Sequence, residues 1–309
     1  MTTLLITHPS SLRHETPEGH PERPDRIRAV EAALEDERFS GLIRESAALG
    51  TLDQVVLCHP RDFAERIVAA APRDGLVRID DDTTMSPGTL EAVLHAVGGA
   101  VQAVDEVMTG QVANAFCAMR PPGHHAESVK AMGFCFFNQA AIAARHAQRH
   151  HGAQRVAIID WDVHHGNGTQ EIFWDDASVL YASTHEMPLY PGTGAASERG
   201  EHGTIVNTPL QAGDGSEAFR EAMETVLLPR IVDFSPDLLI ISAGFDAHWR
   251  DPLANLNLSE PDFAWATQKL MDIADRSCRG RLVSILEGGY DLEGLSRSAA
   301  AHVLALMRG

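Results

Sequence analysis

Thiol chemistry is sparse in this sequence: its four cysteines, Cys58, Cys117, Cys135 and Cys278, stand far apart and form no CxxC pair. That spacing argues against a disulfide framework and a thiolate zinc site, and the thiols read as buried and reduced. No apolar run approaches the roughly 20 residues needed to cross a bilayer. The opening MTTLLITHPS lacks the basic stretch and long apolar segment of a secretion signal. A cytosolic protein without a membrane span is therefore expected. Positive charge is short as well: 25 Lys and Arg stand against 43 Asp and Glu, a formal charge of −18. Such a field repels phosphate backbones and anionic lipid, so neither nucleic acid nor a membrane is an expected partner. Low-complexity linkers, internal repeats and composition shifts are missing too, so residues 1–309 are read as a single domain. No feature of the sequence points to a particular oligomeric state.

What the sequence does have is apolar residues, 44% of 309, enough to bury a large core. They cluster in short runs at 2–7, 114–119, 155–160, 178–184, 237–243 and 281–286, which read as strands buried on both faces. Between these runs, helical patterns occupy 86–109, 138–151, 216–232 and 261–279. The first opens with Ser86 as its cap and Pro87 at the first helical position, and stops at Gly110. Alternation of this kind predicts an α/β fold, an open and mostly parallel sheet with helices on both faces. Ligands of such sheets bind beyond the carboxyl ends of the strands.

Four unusual segments fall directly after predicted strands: RPPGHH at 120–125, DWDVHHGNG at 160–168, SAGFDAH at 242–248 and EGGY at 287–290. Ionisable groups gathered at strand ends are costly to bury without partners, and convergence supplies partners. In an extended stretch Asp160, Asp162 and His164 share one side, so Asp162 and His164 can grip one ion. Asp246, after its own apolar strand, supplies a third ligand. Three N/O ligands leave a fourth position open, the arrangement of a catalytic rather than a structural zinc site. Of the adjacent imidazoles His124 and His125, one is read as a general base, with Asp160 and Asn167 as the acceptors that orient the pair. Tyr290, after two glycines, is read as a donor to a developing oxyanion. By contrast, His150 and His151 sit at a helix end, where cap and dipole effects suffice. Lys130 and the run Asp80–Asp82 are read as exposed, solvated loop, with a place at the pocket mouth as the alternative.

Together these residues resemble the zinc-dependent histone deacetylase family, with its bacterial amidohydrolase and acetylpolyamine amidohydrolase relatives. The likeness runs from HPERPDRI (20–27) through RPPGHHA, GFCFFN (133–138), DWDVHHGNGTQ, STHEMPLYPGTG (183–194), SAGFDAHWRDPLA and LEGGYDL. It implies an arginase-deacetylase fold, one catalytic zinc on Asp162, His164 and Asp246, a proton-shuttling pair His124 and His125, and a transition-state Tyr290. It further implies a narrow substrate tunnel beside Gly133, Phe134, Tyr190, Leu253 and Gly289. Potassium or sodium is implied at Asp160, Asp162, His164, Ser183 and Thr184, and at a second site by Phe173, Asp176 and Val179. Asn167 departs from the frequent pattern, since many members carry a second aspartate there, and resembles the class II branch. Tyr190 replaces a frequent Phe, and Leu253 occupies a rim position where polyamine-preferring relatives can be acidic.

The implied reaction is attack of a metal-activated water on an acyl-lysine amide, with acetylated polyamines or other small N-acyl amines as the alternative substrates. A two-metal ureohydrolase on the same fold would need further bridging carboxylates, whereas positions 244 and 248 hold Gly and His. An inactive module that merely binds acylated lysine would not need the full set of ligands, bases and tyrosine.

Overall fold

A computed structural model describes residues 2–308 of the chain. Among them are strands β1 (Thr3–Thr7), β2 (Ile43–Ser46), β3 (Val77–Arg78), β4 (Thr84–Met85) and β5 (Asn114–Cys117). The second half adds β6 (Val156–Asp160), β7 (Val179–Glu186), β8 (Ile205–Leu210), β9 (Leu238–Ala243) and β10 (Leu282–Leu286). The helices are α1 (Asp25–Leu34), α2 (Leu52–Val55), α3 (Arg61–Ala70), α4 (Thr89–Met108) and α5 (Gln139–His151). They continue with α6 (Asn167–Ile172), α7 (Ser216–Ala222), α8 (Leu228–Phe234), α9 (Glu260–Cys278) and α10 (Leu292–Arg308).

Eight strands form one sheet in the order β2-β1-β5-β10-β9-β6-β7-β8, and every neighbouring pair is parallel. β3 and β4 make a separate antiparallel pair. The α/β architecture expected from the apolar runs is therefore the one observed. Successive side chains of the central strands point into different layers. Ile158 joins the cluster with Ala96 and Ala100 of α4 and Ala140 and Ala144 of α5. Ile159 joins Ile27 of α1, Ile231 of α8, Phe263 of α9 and Leu295 of α10 on the opposite face. Both faces are covered, so the strands have no polar side to show, and they read as continuous apolar runs.

Two helices differ from expectation. The segment from Ser86 becomes helical only at Thr89, because the Ser86 backbone N–H donates to the Thr89 hydroxyl at 2.8 Å and folds 86–88 into a turn. The pattern at 216–232 is α7 and α8 joined by a π-helical turn over Met223–Leu227, and it runs on to Phe234. Pro229 lacks the N–H that a regular helix would use at that point, and the wider turn precedes it.

The order of the strands decides where chemistry occurs. β5, β10, β9 and β6 are consecutive neighbours at the centre of the sheet. The four unusual segments leave those four carboxyl ends and gather at one edge.

Candidate active site

Asp162, His164 and Asp246 are all buried, and one ligand atom from each lies within 4.8 Å of the others. His164 Nδ1 stands 3.2 Å from Asp162 Oδ1 and 3.1 Å from Asp246 Oδ2. The approach is not by an extended strand as expected, because β6 ends at Asp160 and the chain bends. Asp162 Oδ1 accepts the His164 backbone N–H at 2.9 Å, a local turn made by an aspartate side chain. The remaining oxygens are pinned: Gly288 N donates to Asp162 Oδ2 at 2.8 Å, and Val163 N donates to Asp246 Oδ1 at 2.8 Å. A Cβ on Gly288 would stand 2.2 Å from Asp246 Oδ2 and 2.6 Å from Asp162 Oδ2, so only glycine lets β10 close on the trio.

The electrostatics fit a cation. Burial opposes charge on His164, but Asp162 and Asp246 outweigh it and raise its pKa to about 10. Burial and the neighbouring Asp162 push Asp246 up to about 7. Burial would raise Asp162 too, yet His124 and His164 hold it well below the usual carboxylate range. Two buried carboxylates thus face one imidazole, a donor set of two oxygens and one nitrogen that suits a divalent ion.

The histidine pair is oriented from behind. His124 Nδ1 lies 3.0 Å from Asp160 Oδ2, and His125 Nδ1 lies 2.8 Å from Asn167 Oδ1, the two acceptors expected. Tyr181 OH also donates to Asp160 Oδ2, at 3.1 Å. The imidazoles are 4.0 Å apart between centroids, and their environments separate them. Burial disfavours charge on both. For His124 the carboxylates of Asp160, Asp162 and Glu287 outweigh it and raise its pKa well above the ordinary value. For His125 the charges of His124 and His164 add to burial and lower it well below. Neighbouring groups pushed apart in this way are suited to different proton roles.

Glu287 is a site residue that sequence reasoning missed. Its Oε2 accepts from Gly123 N at 2.7 Å and His124 N at 3.1 Å, and its Oε1 accepts from Ser242 Oγ at 3.1 Å. It stands first in the EGGY segment, so its place at a strand end was a signal. A second missed group lies in HPERPDRI. Buried Glu22 takes ion pairs from Arg26 and Arg120. Arg26 in turn donates to Gly289 O and Glu287 O, both at 2.6 Å, and its guanidinium stands 5.0 Å from the Tyr290 ring centroid. The first turn of α1 thereby clamps the loop that carries Tyr290.

Above the trio opens a cavity of about 230 Å³, lined by His125, His164, Gly133, Phe134, Leu189, Tyr190, Leu253, Tyr290 and Asp82. Gly133, Phe134, Tyr190 and Leu253 were expected there as tunnel residues, and Tyr290 as a catalytic one. Gly289 is not among the residues lining this cavity; its carbonyl turns to Arg26, and a Cβ added to it would meet Leu295 and Phe245. Asp82, expected to be solvated loop, reaches inward instead: its Oδ1 accepts from Gly133 N and Thr83 Oγ1, while Thr83 Oγ1 accepts from Phe134 N at 3.0 Å. These bonds hold Gly133 and Phe134 at φ of 57° and 68°. Left-handed backbone is costly at a bulky residue, and the surrounding bonds sustain it. Asp80 and Lys130 do border solvent, 3.9 Å apart as a loose ion pair. Burial raises the phenol of Tyr290 well above its ordinary value; Arg26 opposes this, and Asp246 and Asp162 add to it, so the group stays a proton donor.

Ser183 lies beside Asp160 in the β6–β7 register, and Thr184 follows it on β7. The Asp176 carboxylate accepts from Ser178 Oγ at 2.6 Å and pairs with Arg145, beside Phe173 and the start of β7 at Val179. A second histidine–aspartate group stands where α4 and α5 end. Asp105 Oδ1 accepts from His146 Nε2 at 2.7 Å and His151 Nε2 at 2.6 Å, while His146 Nδ1 is buried without a partner. A metal-bound imidazole normally donates its other N–H. Asp105 thus joins His146 and His151 through hydrogen bonds, a partner that the cap and dipole reading of the helix-end histidines did not include.

A parallel α/β sheet with a three-ligand site at its carboxyl edge and paired histidines over a cavity describes a hydrolase. The sequence profile of the histone deacetylase domain matches residues 20–306, and the chain belongs to the histone deacetylase family. It is 37% identical to the Archaeoglobus fulgidus protein named "Probable deacetylase", over 100% of this chain and 87% of that one. It is 38% identical to the "Histone deacetylase-like amidohydrolase" of Pseudomonas aeruginosa, over 88% and 73%. Among solved structures, the HDA15 HD domain superposes with a TM-score of 0.92 at 38% identity, over 98% of this chain and 88% of that one. Membership places the protein among deacetylases and amidohydrolases, enzymes that act on acetylated amides and generally depend on a metal. No helix among the described residues is long and apolar enough to cross a membrane.

Proposed function

We propose that the chain is a single-domain zinc-dependent deacetylase that hydrolyses the amide of acyl-lysine in peptides or proteins. The observation that carries this reading is a buried trio of Asp162, His164 and Asp246 opening onto a cavity between His125 and Tyr290. Two carboxylate oxygens and one imidazole nitrogen with an open side suit catalytic zinc. When bound, zinc would polarise the substrate carbonyl and lower the pKa of the attacking water.

The chain's own groups supply the rest. Phe134 and Tyr190 face an extended apolar stem, and Leu253 leaves the rim without a charge for a second amine of a polyamine. Acetylated polyamine is the alternative substrate, and Leu253→Glu is the variant that would shift preference toward it. His125, neutral and held at Nδ1 by Asn167, takes the proton of the water through Nε2 and later returns it to the leaving amine. His124, kept cationic beside Asp160, supplies positive charge as the carbonyl oxygen becomes negative. Tyr290 donates its hydroxyl hydrogen to that oxygen. Potassium or sodium on Asp160, Asp162, His164, Ser183 and Thr184, and on Phe173, Asp176 and Val179, would steady the loops beneath. A ureohydrolase with two metals is disfavoured by Gly244 and His248, which supply no further carboxylate.

On an acetyl-lysine peptide, His124→Ala, His125→Ala and Tyr290→Phe should each lower kcat about 10²- to 10⁴-fold with the fold retained. Turnover unchanged in all three would overturn the role assignment.

A further inference from the structure

Which of the His125 nitrogens carries hydrogen decides whether the ring can act as a base toward the cavity. Nδ1 faces Asn167 Oδ1 at 2.8 Å. An amide can turn over, and either end then offers opposite hydrogen-bonding character. The other end of this amide meets Glu127: Asn167 Nδ2 stands 2.8 Å from Glu127 Oε1, and 3.4 Å from the His125 carbonyl. A carboxylate and a carbonyl only accept, so the amide nitrogen must face them and its oxygen must face Nδ1. Hydrogen is then required on Nδ1, and Nε2 is left bare for the cavity that His125 lines.

Glu127 is itself held in place. It exchanges backbone hydrogen bonds with Lys130, at 2.9 and 3.4 Å. Ser128 donates through both N and Oγ to Glu171 of α6, each at 2.8 Å. The segment after the histidines is thus tied to the helix that begins with Asn167. Gly168 completes the contact, since a Cβ there would stand 2.2 Å from the Ala126 carbonyl oxygen.

We propose that Glu127 is a positioning residue: by fixing the orientation of the Asn167 amide, it sets the His125 tautomer that leaves Nε2 free to accept a proton. This deepens the proposed hydrolysis and rests on His125 as its base. The lock is needed because position 167 is an amide. A carboxylate at that position accepts from Nδ1 in either orientation, and would meet Glu127 as a like charge.

The test joins Glu127→Gln, Asn167→Asp and their double variant. Glu127→Gln keeps the shape but offers a donor as well as an acceptor, so both amide orientations become satisfiable. Its kcat on an acetyl-lysine peptide should fall about five- to tenfold, with KM within twofold and thermal midpoint unchanged. Asn167→Asp added to Glu127→Gln should restore kcat to within about twofold of wild type, whereas Asn167→Asp beside the native Glu127 should remain impaired. The same variants are read without substrate by ¹⁵N NMR of the His125 ring in zinc-loaded protein. Nδ1 should resonate as protonated and Nε2 as bare in wild type, with averaging of the two in Glu127→Gln. A wild-type ring with hydrogen on Nε2, or a Glu127→Gln ring identical to wild type, would overturn the lock. If the rings behave as expected but wild type fails to turn over acetyl-lysine, the lock stands and the substrate reading falls.

Discussion

At the scale of residues, function divides along lines of charge rather than of residue type. His124 and His125 are neighbours in sequence, yet Asp160 and an amide stand behind them, and their pKa values move in opposite directions. Asp160→Asn should therefore damage the enzyme through His124. It removes the carboxylate that keeps the imidazolium, and kcat should fall by at least about tenfold, in line with the usual worth of a charged hydrogen bond of about 1.5–3 kcal/mol. A kinetic comparison of Asp160→Asn with His124→Ala checks this, and additive losses in the double variant would contradict it. The residues proposed to meet chemistry were the legible ones: Asp162, His164, Asp246, His124, His125 and Tyr290 stand in motifs that make little sense as packing. Those that orient them were harder to see. Glu287 and Arg26 touch the site through backbone atoms, as acceptor and donor respectively, and no spacing in a sequence announces such a bond. Asp82 looked like one of three solvated aspartates and is distinguished only by the loop it bends back to.

At the scale of elements, the site exists because β5, β10, β9 and β6 are neighbours and because glycine lets their loops close. Gly288→Ala should leave the sheet intact while driving Asp162 and Asp246 apart. Zinc affinity measured by competition with a chromogenic chelator should drop by at least about a hundredfold, a displaced-ligand cost of roughly 3 kcal/mol or more. Retention of wild-type affinity would contradict the close fit. A second prediction concerns α10, whose His302 stands 2.6 Å from Thr267 Oγ1 of α9 and 2.8 Å from Ser284 Oγ of β10. Burial alone pushes its pKa down to about 3, from an ordinary 6.5. Folding therefore favours the neutral ring. Its contribution is whole above pH 6.5 and declines as pH falls toward 3, by up to about 1.4 kcal/mol for each pH unit. Thermal midpoints between pH 7 and 5 should fall more steeply for wild type than for His302→Gln, and parallel curves would refute this. The central strands were legible because burial on both faces made them continuous apolar runs. β2 was not, since its IRES is short, polar and largely exposed at the sheet edge. β8 carries Pro209, which suits an edge and weakens the strand signal.

At the scale of the whole molecule, two cores clasp a sheet whose one edge holds an excess of buried carboxylate. His124 and His164 stand against those carboxylates, and a divalent ion that binds them only in the folded chain would link metal binding to folding. Adding zinc to metal-free protein should raise the thermal midpoint in proportion to RT ln(1 + [Zn]/Kd), about 2.7 kcal/mol at a hundredfold excess over Kd. A net charge of −18 disfavours anionic peptides and would favour cationic ones if it extends to the cavity mouth. Turnover of basic acetyl-lysine peptides should accordingly weaken as salt rises, and salt-independent kcat/KM would argue against steering. The most direct measurement is elemental analysis of the purified protein alongside deacetylation of an acetyl-lysine peptide, across a chelator titration and zinc add-back. One transition metal per chain, with activity lost and regained in step with it, is the predicted result. Full turnover from metal-free protein, or two tightly held metals per chain, would contradict it.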